Sequence, residues 1–144
     1  MGSDEMKYLL DTSAWLRGYA EPHTIPRAES AVMSRHGELF GLSAISLWEV
    51  GKKHQRGKLT LPTNLADWFR QALGNNIEVL PLTADIVADA MRLPNFPNHD
   101  PADELIVATA RTHQLTLLTT DTVLKGYSHA RIHYFTPVLN PESK

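Results

Sequence analysis

A chain of 144 residues fits one domain near the commonest size, and 42% hydrophobic residues can bury a core, which excludes a disordered polymer. The absence of cysteine removes disulfides, thiolate metal sites and cysteine nucleophiles together, and no run approaches the roughly 20 apolar residues of a membrane helix. A formal net charge of −2 argues against holding nucleic acid by bulk basicity, so chemistry on a phosphodiester would need local positive charge or recruited metal ions.

Met1-Gly2-Ser3 reads as appended sequence with Met6 as the natural start, and Asp4 and Glu5 stand where a signal peptide would be positive. The expectation is a cytoplasmic protein with one domain over residues 6–138, an N-terminal extension at 1–5 and a C-terminal tail at 139–144. Lys7-Tyr8-Leu9-Leu10 reads as a strand buried on both faces and ends at Asp11. Thr12-Ser13 opens a helix through Leu16, and a second helix starts after Pro26 and runs to about His36, stopped by Gly37. Leu39 to Leu42 is the next strand, and Ser43 caps a helix with Ile45, Leu47, Trp48 and Val50 as apolar surface. Asn64 begins an amphipathic helix through Trp68, Phe69 and Leu73, then Gly74-Asn75-Asn76 turns into a strand over Ile77 to Leu80. Thr83 caps a helix reaching Leu93, residues 94–99 form an irregular loop, and Asp100-Pro101 opens the clearest helix of the chain. Leu115 to Thr120 is a strand ending at Asp121, and Ile132 to Phe135 is the last. Strands alternate with helices throughout, the pattern of an α/β domain with a mainly parallel sheet.

In such sheets functional groups gather beyond the carboxyl ends of the strands. Asp11 and Asp121 end strands, Glu49 lies on the helix after the second strand, and Asp103 lies in the first turn of the helix opened by Asp100. Each has a bland alternative. Glu49 has Lys53 four residues on, a surface pair worth a few tenths of a kcal/mol. Asp100 before Pro101 is a helix N-cap, Asp103 profits from the helix dipole, and Asp121 can cap a short helix through Leu124. Asp11 is hardest to explain away, because strand interiors disfavour aspartate. Convergent carboxylates repel one another unless a divalent cation intervenes, and an all-oxygen set suits Mg²⁺ or Mn²⁺. With seven histidines zinc is possible, but no HExxH pair occurs, nor a GxSxG elbow, P-loop or GxGxxG run. Carboxylate-held metals suit phosphodiester hydrolysis, and a bound cation lets an acidic protein approach an anionic backbone.

Leu9-Leu10-Asp11-Thr12-Ser13-Ala14, Ser46-Leu47-Trp48-Glu49-Val50, Asp100-Pro101-Ala102-Asp103-Glu104-Leu105-Ile106-Val107-Ala108-Thr109-Ala110 and Leu118-Thr119-Thr120-Asp121 together resemble the PIN-domain family, in particular its VapC-type toxins. The likeness runs from Lys7 to Phe135 with order and spacing kept. It implies a three-layer α/β/α domain, an acidic site binding Mg²⁺ or Mn²⁺, and cleavage of RNA. It also implies a homodimer silenced by a VapB-type antitoxin, whose tail often places a basic side chain in the acidic pocket. By position, Asp11 and Asp103 would be principal metal ligands, with Glu49 and Asp121 completing the site directly or through water. Asp100 ranks below these four; Thr12, Ser13 and Thr119 fall where small hydroxyl residues support the ligands, and the four acidic positions show no departure from the family pattern.

Lys52, Lys53, His54, Arg56 and Lys58 form a basic stretch that is either a solvated helix end or a contact to the RNA backbone, with Lys52, Lys53 and Arg56 as candidates. Trp15, Trp48 and Trp68 read as core residues rather than base-stacking platforms, while Ile86, Val87 and Ala90 are candidates for a dimer face. One rival is a non-catalytic PIN-like module that docks a basic partner peptide. Another is a phosphatase forming an aspartyl-phosphate, which would need a second acid where Ser13 stands.

Overall fold

A computed structural model describes residues 6–139, so the expected extension at 1–5 and residues 140–144 of the expected tail lie outside the described residues. Strand β1 (Tyr8–Leu10) leads into α1 (Thr12–Ala20), with Asp11 as the capping residue between them. A short 3-10 turn (Pro22–Thr24), not expected from the sequence, is held by the Thr24 hydroxyl donating to the Glu21 carbonyl at 2.7 Å. Helix α2 (Arg27–Met33) follows Pro26 but stops short of His36. Val32 and Met33 still pack against the core, but Ser34, Arg35 and His36 are exposed, so no packing holds another turn, and the Ser34 hydroxyl bonds the Ser30 carbonyl at its end. Gly37, at φ +82°, sits in the following turn.

Strand β2 (Phe40–Ser43) is buried throughout, and Ser43 caps α3 (Ala44–Gln55) by accepting from the Ile45 N–H at 3.3 Å. Asn64 caps α4 (Leu65–Leu73), which ends at Gly74 before β3 (Ile77–Leu80). Thr83 caps α5 (Ala84–Ala90), which is shorter than expected: Pro94 disfavours helical backbone at Leu93, and residues 91–92 already form a turn. Helix α6 (Pro101–His113), β4 (Thr116–Thr119) and β5 (Ile132–Tyr134) complete the order.

The sheet runs β3-β2-β1-β4-β5, and every pairing is parallel. Successive residues of a strand face opposite sides, so Leu9 and Leu117 pack with Ile106, Val107 and Ala110 of α6. Leu10, Leu118, Phe40 and Leu42 pack with Trp15, Val50, Trp68 and Ala72 on the other face. Apolar layers on both faces are what a parallel sheet needs, and they make the fold a three-layer α/β/α sandwich. Among the described residues no helix is long and apolar enough to cross a membrane.

Two expectations about apolar residues are corrected. Trp15 and Trp68 are core residues at 1% and 2% exposure, but Trp48 is 56% exposed. On α3 the buried positions are Ser46 and Val50, and at about 100° per residue position 48 projects from the opposite side of the helix. Ile86 and Ala90 are buried against Ala108 of α6 within this chain, which leaves only Val87 of the three open to a partner.

Candidate functional site

Strand order makes β1 and β4 neighbours although α1 to α6 lie between them in sequence. β1 connects onward to β2 on one side, while β4 and β5 lie on the other, so the crevice beyond Leu10 and Thr119 is the switch point of the sheet. The Asp11 N–H donates to the Leu118 carbonyl at 3.1 Å and carries the β1–β4 register into the site.

Asp11 is 6% exposed, and its carboxylate oxygens are both engaged. Oδ1 accepts from the Ala14 N–H at 2.7 Å and the Ser13 hydroxyl at 3.0 Å, and Oδ2 accepts from the Thr119 hydroxyl. Asp11 is therefore also the N-cap of α1, a role the sequence reading had left to Thr12-Ser13. The Thr119 hydroxyl in turn accepts from the Asp121 N–H at 3.0 Å, and the Ser13 hydroxyl meets that of Thr120 at 2.7 Å. Thr12 donates to Glu49 and lies 2.8 Å from the Ser46 hydroxyl, which ties α1 to α3. Asp103, in the first turn of α6, accepts from the Asn98 amide at 2.9 Å. Asp100 caps α6 by accepting from the Ala102 N–H at 3.0 Å, and Asp121 accepts from the Val123 N–H at 2.9 Å in a turn rather than a helix.

The electrostatics link these acids. Burial, with a smaller push from Asp121, raises the Asp11 carboxyl from 3.8 to about 6 against the opposing hydrogen bonds from Thr119, Ala14 and Ser13. Burial likewise raises Asp103 to about 6, and repulsion from Asp100, Asp121 and Glu49 adds to it against the Asn98 hydrogen bond. None of the five carboxylates makes an ion pair among the described residues; the Glu49–Lys53 pair, the alternative reading of Glu49, is not formed. Nor, among the described residues, do three acidic or imidazole side chains close around one point as a ready-made cage. The acids are coupled through their charges, and each is oriented by a hydroxyl, an amide or a backbone N–H.

Three contributors escaped the sequence reading, Ser46, Thr120 and Asn98, while Trp48, expected in the core, is exposed. Ser46 stands one helical turn before Glu49, and Asn98 lies in the loop before Asp103, spacings compatible with support but too common to single out. Lys52, Lys53 and His54 of the basic stretch occupy the last turn of α3, where the helix dipole favours cations, Arg56 is its C-cap, and Lys58 lies beyond it. Lys52 reaches Gln55 at 3.0 Å and lies 5.7 Å over the Trp48 ring, while Lys53 and Arg56 are exposed. His54 Nδ1 lies 3.1 Å from the Leu59 carbonyl.

The PIN domain family model matches residues 8–130. The chain is 31% identical over 123 residues to Ribonuclease VapC22 of Mycobacterium tuberculosis (strain ATCC 25618 / H37Rv), covering 85% of this chain and 93% of that protein. Its fold is similar to a chain of VapBC2 from Rickettsia felis bound to a DNA fragment from their promoter, with a TM-score of 0.67 at 16% identity over 90% of this chain and 98% of that one. DNA-bound VapBC from Salmonella typhimurium contains a comparable chain, with a TM-score of 0.67 at 17% identity and the same coverage of each. The switch-point crevice, the three-layer sandwich and the length of the matched segment agree: the chain belongs to the PIN-domain family.

Proposed function

We propose that this chain is a metal-dependent endoribonuclease that hydrolyses RNA phosphodiester bonds, and that it is the toxin of a toxin–antitoxin pair. The observation that carries the reading is the set of carboxylates at the switch point, two of them raised to about 6, with no cationic side chain paired to any among the described residues. A divalent cation would offset the repulsion among these carboxylates. The donors are all hard oxygens, which fits Mg²⁺ or Mn²⁺. Asp11 and Asp103 would hold the ion, Glu49 and Asp121 would complete the site directly or through water, and Asp100 is a weaker candidate. When bound, the ion supplies Lewis-acid activation of water and neutralises charge on the phosphate. The chain's own part is orientation: Thr119, Ser13 and the Ala14 N–H aim Asp11, Thr12 aims Glu49, and Asn98 aims Asp103.

The ribonuclease activity in the relative's name and the VapBC complexes among similar structures support this reading and a VapB-type antitoxin as partner. A basic antitoxin side chain would satisfy the same uncompensated acids. Residues 6–138 would act as one cytoplasmic domain, paired as a homodimer. Cleavage of total RNA with and without EDTA, followed by mapping of the cut ends, tests the activity. Asp11→Asn should lower cleavage by roughly a hundredfold or more, since lesser losses of supporting groups already cost about 10- to 100-fold at metal sites. Full cleavage by a folded Asp11→Asn protein would remove the assignment, and binding of RNA or a basic peptide without product would favour a non-catalytic docking module.

A further inference from the structure

Beside the acids lies a groove of about 550 Å³ lined by Ala44, Ile45, Trp48, Leu82 and Pro101 together with Glu49 and Asp100. Trp48 and Leu82 are 56% and 36% exposed, large apolar side chains left open in the groove that two of the carboxylates also line. The Lys52 ammonium stands 5.7 Å over the Trp48 ring, and the exposed Lys53 follows it. These lysines are the cations that α3 sets beside the groove, one turn from Glu49.

We propose that Trp48 is a stacking platform for an unpaired nucleobase of the RNA, next to the phosphate presented to the carboxylates. This rests on the ribonuclease reading above for the identity of the ligand. The occupant must lay a flat apolar face on an indole while bringing negative charge toward Lys52. A nucleotide does both, because every base has a π face and carries its phosphate a bond or two away. A basic peptide would satisfy Glu49 and Asp100 but set its own cation against Lys52, and a purely apolar one would strip water from both acids without a partner. Stacking tolerates any sequence, so Trp48 would contribute affinity and hold the strand in register, leaving base identity to other contacts.

The test uses fluorescence anisotropy of a labelled mixed-sequence single-stranded RNA, alongside cleavage of the same strand. Trp48→Ala should weaken binding roughly 5- to 150-fold, the range for losing one stacked base, and the loss should fall on KM more than on kcat. Trp48→Phe and Trp48→Tyr should recover most of it, since a flat ring is what is required. Replacing single nucleotides by abasic sites should find one position whose loss weakens the wild type but not Trp48→Ala, the signature of a shared interaction. Unchanged affinity in Trp48→Ala, or equal penalties from every abasic position in both proteins, would overturn the proposal. So would a Trp48→Ala protein that binds RNA normally but no longer self-associates, because the ring would then serve a protein interface. The two readings fail separately: RNA bound through Trp48 but never cleaved removes the nuclease, whereas cleavage indifferent to Trp48 removes only the platform.

Discussion

Asp11 shows how one residue serves fold and site at once. Its backbone extends the β1–β4 pairing, one carboxylate oxygen caps α1, and the other takes the Thr119 hydroxyl. Thr119 is fully buried, and its hydroxyl also accepts from the Asp121 N–H. Thr119→Val keeps the shape and removes both interactions, leaving a buried carboxylate oxygen and a backbone N–H short of a partner. The expected cost is about 1–3 kcal/mol, read by urea unfolding at neutral pH, with Thr119→Ser losing less. A valine variant as stable as the wild type would show that the hydroxyl does not hold Asp11. The aspartate was legible in the sequence because an apolar strand ended in a charge. Its partner Thr119, 108 residues away, was not, nor was the Ser13–Thr120 contact across 107, since nothing local marks a threonine as facing another strand's end.

At the scale of elements, caps and breakers were the readable signals. Ser43, Asn64, Thr83 and Asp100 all accept from N–H groups of the helices they were expected to open, because capping depends on the residue itself and its near neighbours. Helix ends were less legible: α2 and α5 both stop early, where tertiary contacts, not propensity, hold the last turn. The same limit applies to which face a helix buries. Ile86 at 0% exposure is locked between α5 and α6, whereas its neighbour Val87 is 41% exposed. Ile86→Ala should therefore destabilise the chain by about 2–5 kcal/mol, and Val87→Ala should stay within roughly 0.5 kcal/mol. Thermal or denaturant unfolding distinguishes them, and equal small losses would return Ile86 to a candidate interface.

For the whole molecule, the raised carboxyls make stability depend on pH and on metal. Below 3.8 Asp11 is protonated whether folded or not; between 3.8 and about 6 the unfolded chain ionises it while the folded chain keeps the proton, so stability falls as pH rises through that window. Two pKa units correspond to about 3 kcal/mol, and Asp103, half-buried, adds in the same direction. In EDTA the wild type should lose stability between pH 4 and 7 more steeply than Asp11→Asn, and Mg²⁺ or Mn²⁺ at pH 7 should restore it by favouring the charged form. Unfolding curves across that range check the sign; a wild type that gains on Asp11→Asn as pH rises would refute it. By itself the sequence determined that strands and helices alternate, that the strands are buried on both faces, and which acids stand at strand or helix ends, because these follow from local periodicity and capping chemistry. Only the tertiary structure decided that β1 and β4 are neighbours, that the five acids are coupled with no ion pair to any of them among the described residues, and that Trp48 faces outward. Strand order and helix rotation come from packing between segments remote along the chain, and no short-range pattern encodes them.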